Sequence, residues 1–326
     1  MPTPTALWPI WKPIFPLYLN LLEKMTRPRL ALLYLTPIVL LFLLVSGWYA
    51  ASFLTPKPDP VKFSGQRALT DVQTQLSFGP RTPGSAGHAQ IREWMRQELE
   101  KAGWSVEIQS VEQSGKTVIN LIARRSEAPP QIILGAHYDT RLQADHDPDP
   151  ARRNEPVPGA NDGASAVAVL LELARTQPPK FLPIWLVFFD AEDNGRLPGW
   201  DWILGSRAFV AHLTVRPQAV VIVDMVGDAD LNIYREKNSD PALAAQIWQT
   251  AAELGYSQYF IDQEKYTMLD DHTPFLQAGL PAVDLIDFDY PYWHTTADTA
   301  DKVSAHSLEV VGQTLLTWLN QQNRQR

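Results

Sequence analysis

The chain has 326 residues, with 28 Lys+Arg against 36 Asp+Glu and no cysteine. The net charge of −8 argues against a nucleic-acid binder, which carries a basic footprint. The missing cysteine excludes a disulfide framework, a thiol nucleophile, an iron–sulfur cluster and a Cys-type zinc site, so any metal must sit on His and carboxylate ligands.

The charge is unevenly placed. Residues 1–29 carry +3 and the remainder −11. Residues 30–54 hold no charge at all. A bilayer core takes about 20 apolar residues as helix, so this run is predicted to be a transmembrane anchor. Trp48 and Tyr49 fit an interfacial belt, and the basic flank puts the 1–29 tail in the cytoplasm and the rest of the chain outside it. A cleaved signal that yields a secreted form, or a buried helix, is the alternative. Against the signal, the leader is long and the run exceeds an h-region of about 7–15 residues. Residues 8–22 are apolar but broken by Pro9, Pro13 and Pro16, which suits an interfacial segment. Residues 55–65, with three Pro in a short polar stretch, read as a linker.

From 66 to 326 the pattern alternates. Helical periodicity covers 89–102, 164–176, 206–212, 241–254 and 304–319, and β-rich runs cover 118–123, 132–137, 184–189, 219–224 and 282–286. That alternation predicts one α/β domain with a largely parallel sheet. The polar stretch 141–158 is a long loop, and its Asp145-His146-Asp147 reads as solvated rather than as a ligand cluster.

Functional sites of parallel sheets lie beyond the carboxyl ends of the strands. Here His137-Tyr138-Asp139, Asp190-Ala191-Glu192-Asp193 and Asp224 each close a strand. Trp293-His294 follows the last strand, and Asn161-Asp162-Gly163 opens a helix. Converging carboxylates of this kind strand buried charge unless a cation compensates them. Two His and three Asp form a suitable zinc set.

The pieces GPRTPGS, GAHYDT, PGANDGAS, FFDAED, LGSRAF, VDMVG, DDHTPF and YWHTTADT follow one another between residues 79 and 299. In that order they resemble the zinc exopeptidase superfamily of family-28 aminopeptidases and animal-type glutaminyl-peptide cyclotransferases. The resemblance implies a three-layer αβα sandwich with a largely parallel mixed central sheet, here preceded by the N-terminal transmembrane helix. By motif, Asp162, Asp193 and His294 correspond to the ligands of one zinc ion. His137 and Asp224 correspond to those of a second, with Asp162 as bridge, and Glu192 to the general acid/base. The family usually has Glu-Glu where this chain has Glu192-Asp193, so the shorter ligand must approach the metal more closely.

Two reactions remain open on this resemblance. GPRTPGS, the paired Asp270-Asp271 before His272, and Trp293 before the zinc His are similar to cyclase motifs, whereas GANDGAS and HTTADT also resemble aminopeptidases. A cyclase converts an N-terminal glutamine to pyroglutamate and releases ammonia. Glu192 would move the proton, Asp224 and Asp270 would orient Glu192 and the substrate, and Trp293, Trp200, Trp202, Asp271 and His272 would shape the pocket. An aminopeptidase would use Glu192 to deprotonate a metal-bound water. Either way the partners are peptide or protein N-termini and, through the anchor, the membrane, with no nucleic acid. Asp139 is expected to orient His137, and Asp190 to be a structural strand-end carboxylate. A different class, an inactive membrane-anchored binding domain, would have lost Glu192 or a ligand, and none is lost.

Overall fold

The computed structural model describes residues 36–47, 62–178 and 181–324. The chain divides into two units, Met1–Pro60 and Val61–Arg326. In the first, residues 36–47 form a helix of exposed residues. The 1–29 tail, and residues 30–35 and 48–54 of the expected span, lie outside the described residues. Among the described residues no helix is long and apolar enough to cross a membrane.

The second unit opens with α1 (Gly65–Ser77), where the Ser64 side chain accepts from the Arg67 N–H at 3.3 Å. Phe63 is buried in the core, and a Cβ added at Gly312 would lie 2.2 Å from its ring. Phe63 and Ser64, read from sequence as the end of a linker, therefore belong to the fold. Then come α2 (Ala86–Lys101), β1 (Ser105–Gln113), β2 (Lys116–Arg124), β3 (Ile132–His137), α3 (Ala164–Thr176), β4 (Ile184–Phe189), α4 (Leu204–Ala211) and β5 (Ala219–Asp224). The rest comprises β6 (Ile233–Arg235), α5 (Pro241–Glu253), β7 (Phe260–Glu264), α6 (Thr273–Gln277), β8 (Ala282–Ile286) and α7 (Ala305–Arg324).

The main sheet has the order β1-β2-β4-β3-β5-β8. β4, β3, β5 and β8 are parallel neighbours, and the β1–β2 hairpin joins antiparallel at the β4 edge. The sheet is thus mixed, with a parallel heart. Ser114 and Gly115, both at positive φ, make the two-residue hairpin turn. β1 escapes the sequence pattern because SVEIQSVEQ is an exposed edge strand without a buried run. β6 and β7 form a separate two-stranded sheet, also unforeseen.

Strand periodicity builds the layers. Ile132, Leu134 and Ala136 of β3, with Leu186 and Phe188 of β4 and Val221 and Val223 of β5, enter one core with α1, α2, α3, α5 and α7. Ile133, Val187, Phe189, Val220 and Ile222 face the other way, against Phe209 of α4 and Phe275 of α6. Each fully buried Val, Leu, Ile or Phe among them contributes about 1.5–3 kcal/mol relative to exposure. Helices thus cover both faces, and the strand ends are the free edge where loops can build a site. Gly135 sits where a Cβ would meet the Phe189 ring at 2.6 Å and Ile222 at 2.7 Å, so the sheet closes tightly just before His137.

Candidate active site

The carboxyl ends of β3, β4 and β5 bring the candidate residues together. His137 Nε2 lies 3.1 Å from Asp162 Oδ1 and 3.1 Å from Asp224 Oδ1. His294 Nε2 lies 2.6 Å from Asp193 Oδ1 and 3.8 Å from Asp162 Oδ2. Two triads result, His137–Asp162–Asp224 and Asp162–Asp193–His294, each with its ligand atoms within 4.8 Å of one another and Asp162 common to both. All five residues are buried. Oδ2 of Asp162, Oδ2 of Asp193 and Nδ1 of His137 have no hydrogen-bond partner.

The charges explain why such a set suits a cation. Burial, and then the charge of Asp162, push the Asp193 carboxyl well above its ordinary value. Burial likewise raises Asp224 to about 7, against the pull of His137. Asp162 is the exception. Burial pushes it up, but the hydrogen bond and charge of His137, and then the charge of His294, outweigh it and hold it low. A divalent cation beside such carboxyls favours their ionised form, which repulsion and burial otherwise oppose.

Backbone in the left-handed region concentrates here. Ala191, Arg196, Ile203, Met225 and His294 all have φ between 46° and 65°. Each such non-glycine conformation costs on the order of 1–3 kcal/mol, and clusters of them mark functional sites. At Ala191 the turn swings Glu192 and Asp193 out of line with β4. Asp139 then fixes the segment, accepting from the Glu192 N–H at 3.0 Å, the Asp193 N–H at 3.5 Å and Asn194 Nδ2 at 3.2 Å. Its carboxylate is also 3.5 Å from His137 Nδ1. Asp139 thus holds the 192–194 segment as well as facing His137.

Glu192 lines a cavity of about 250 Å³ with Asp162, Asp193, Asp224, Asp270 and Trp293. Burial raises the Glu192 carboxyl well above its ordinary value, and Asp193, Asp270 and Asp271 add to this against His137. The Trp293 ring stacks on His294 at 3.7 Å between centroids, and Trp202 stacks on His294 at 6.0 Å. Both tryptophans line the cavity.

Three expected pocket residues lie elsewhere. Trp200 packs against a small core of Val118, Ala191, Leu204 and Ala208, under the Lys116 ammonium. Asp271 and His272, just before α6, are 1 % and 0 % exposed and sit behind the cavity wall, with His272 within 4.8 Å of the lining Asp270, and Asp271 close enough for its charge to reach Glu192. His272 Nε2 sits 3.3 Å from Glu236 and its Nδ1 3.6 Å from Asp284. Asp190 accepts from His88 Nε2 at 2.7 Å and the Ile119 N–H at 2.8 Å, a structural role.

Other residues went unrecognised in the sequence. Asp298 accepts from the N–H groups of Asn161 and Asp162 at 2.8 and 3.2 Å and from the Tyr290 hydroxyl at 2.6 Å. Its place in HTTADT, four residues after His294, was the available signal. Asp147, read as solvated, is 3 % exposed and receives the Thr296 N–H at 2.9 Å. Asp145 lies 3.8 Å from His294 Nδ1, held by Arg141 Nε at 2.7 Å. Arg141 also donates to the Asp193 carbonyl at 2.6 Å. Arg81 of GPRTPGS is fully buried and donates to the carbonyls of Tyr138, Pro158 and Gly159 at 3.2, 2.9 and 2.6 Å. Burial brings its guanidinium down to about 10.

Larger cavities open elsewhere. One of about 540 Å³ lies at the opposite sheet edge, by Gln131, Gln218 and Trp318. Another of about 820 Å³ lies beside Asp228 and Asp301. Among the described residues neither gathers a His with carboxylates at ligand distance, so the smaller cavity is the candidate.

A parallel-centred sheet with carboxylate–His triads on its strand ends is an arrangement that could hold a metal ion. Residues 117–319 match the model of peptidase family M28, and the chain belongs to that family. A glutaminyl-peptide cyclotransferase from Boiga irregularis is 27 % identical over 282 residues, covering 72 % of this chain and 75 % of its own. Among solved structures, the Porphyromonas gingivalis glutaminyl cyclase is 35 % identical with a TM-score of 0.75, covering 80 % of this chain and 99 % of that one. A leucine aminopeptidase precursor from Bacteroides thetaiotaomicron is 32 % identical with a TM-score of 0.76, covering 80 % and 98 %. The chain is thus an enzyme of this superfamily, of the cyclotransferase or exopeptidase kind.

Proposed function

We propose that the chain is a zinc-dependent glutaminyl-peptide cyclotransferase. The observation that carries this reading is the cavity: small, with Trp202, Phe288 and Trp293 in its walls and Glu192, Asp224 and Asp270 beside one another. At about 250 Å³ it falls below the roughly 300–1,000 Å³ of sites for drug-sized ligands. That suits a single N-terminal residue, and apolar walls limit the water that would yield glutamate instead of pyroglutamate.

Asp162, Asp193 and His294 would hold the zinc ion. When bound, zinc polarises a carbonyl oxygen and makes its carbon electrophilic. The substrate α-amine attacks the γ-carbonyl carbon, the carbon–nitrogen bond of the side-chain amide breaks, and ammonia leaves. Glu192 accepts the proton lost by the amine and returns it to the departing nitrogen. Burial beside Asp193 and Asp270 raises this carboxyl, which makes it a stronger proton acceptor than an exposed glutamate. Asp224 and Asp270 orient the amine.

The hydrolytic reading would use the second triad His137–Asp162–Asp224, although these residue types do not by themselves separate the two reactions. Zinc there would make a two-metal aminopeptidase. Two assays on residues 62–326 separate the readings. Ammonia release from a glutaminyl peptide is expected, and cleavage of a leucyl amide without cyclisation would refute the cyclase. We further propose that residues 30–54 anchor the enzyme in a membrane with the catalytic unit outside the cytoplasm.

A further inference from the structure

Five of the residues lining the cavity are carboxylates, all buried. Arg196 is the lining cation, and it is exposed. Among the described residues it has no hydrogen-bond or ion-pair partner. A guanidinium that lines the same cavity as these carboxylates, yet is paired with none, is free to take an anion from solution.

Its backbone is held in place. Arg196 sits in the left-handed region at φ 65°. The preceding Gly195 lies so close to Trp202 that a Cβ would come within 2.1 Å of the ring. The Gly195 carbonyl accepts from Arg141 Nη2 at 3.2 Å, and the Leu197 N–H donates to the Asn194 carbonyl at 3.2 Å. The side chain therefore leaves a braced loop at the cavity mouth. Thr267 and the half-exposed Leu269 also line the cavity and reach solvent.

We infer that Arg196 is a specificity-determining residue that binds a carboxylate of the peptide just beyond the N-terminal residue. This rests on the peptide-N-terminus reading above, in which the first residue fills the cavity and the second emerges at its mouth. The carboxylate has two sources, an acidic side chain at the second position or the α-carboxylate of a dipeptide. Guanidinium–carboxylate pairs are charge-assisted and often bidentate. An otherwise acidic protein would repel such peptides, and Arg196 offsets this where the chain leaves the site.

The test compares KM within each enzyme for four peptides: Gln-Glu-amide, Gln-Ala free acid, Gln-Ala-amide and Gln-Lys-amide. The same four with N-terminal leucine cover the hydrolytic reading. The wild type should show a KM about 3–10-fold lower for a carboxylate-bearing peptide than for Gln-Ala-amide, shrinking at high salt. The first two peptides tell which carboxylate is bound. Arg196→Ala should erase the ratio, Arg196→Lys should restore part of it, and Arg196→Glu should turn it toward Gln-Lys-amide. Because the readout is a ratio inside one enzyme, a general loss of activity does not imitate the effect. An unchanged ratio in Arg196→Ala overturns the inference. Turnover of the leucyl series alone overturns the cyclase reading, and the ratio is then read on that series.

Discussion

At the residue scale, Glu192 and Asp193 show how one peptide bond separates two tasks. Asp193 turns toward His294 and Asp162, whereas Glu192 faces the cavity. Glu192→Gln should therefore lower turnover by about 10²–10⁴-fold, the usual weight of a proton-transfer group, while zinc content by elemental analysis stays at the wild-type level. Full activity in that variant would exclude the assigned role. Glu236 offers a stability test away from the chemistry. Burial alone would raise its carboxyl, yet His272 and the N–H groups of Met268 and Asn238 hold it down to about 2. A carboxyl held low in the fold stabilises above its unfolded value, near 4.5, and that contribution fades as pH falls toward 2. Glu236→Gln should cost about 2–3 kcal/mol at pH 7, and the gap between the two melting curves should close progressively below about pH 4.5.

At the element scale, the loop after β4 decides the geometry of the site. Asp139 and Arg141 hold its backbone, and its own Trp202 packs on Gly195. Gly195→Ala inserts a methyl into the Trp202 ring, and overpacking of this kind costs about 1–3 kcal/mol. Its expected signature is a fall in kcat larger than the fall in melting temperature would explain, measured by parallel kinetics and calorimetry. Much of this level was legible beforehand. The parallel strands are buried runs of Val, Ile, Leu and Phe that end abruptly in ionisable residues, so their ends and the candidate metal-binding residues on them stand out. His272 was not legible in the same way, because a His after two Asp looks alike whether α6 turns it to a pocket or to Glu236. β1 carries no apolar run, and Asp145 and Asp147 sit in a polar loop whose folding back onto residues 294–296 leaves no local trace.

At the scale of the whole molecule, the catalytic unit and the N-terminal segment make separable predictions. The Val61–Arg326 unit carries both cores and both triads, so a 62–326 fragment should fold alone. A chelator should lower its melting temperature, because removing a bound ligand forfeits about 2.7 kcal/mol at a hundredfold excess over Kd, and zinc should restore it. Zinc should be lost as pH falls, since acid protonates the His and carboxylate ligands that must be bare to bind. For the full chain, residues 30–54 should hold the protein in the pellet of an alkaline carbonate wash, and release into the supernatant would argue against an anchor.

The buried Arg81 has a consequence for time rather than for affinity. It bolts the carbonyls of Tyr138, Pro158 and Gly159 together, so the strand that ends in His137 and the turn that delivers Asp162 move as one body. An ion held between two such arms escapes only when they part. Arg81→Lys keeps the charge but loses the three-way fork. It should leave the resting arrangement of ligands in place and speed the exchange of bound for free zinc, visible as faster isotope or cobalt replacement. The GPRTPGS stretch would then set how long the enzyme remains loaded, and its presence in a chain would report on metal retention whichever reaction that chain performs.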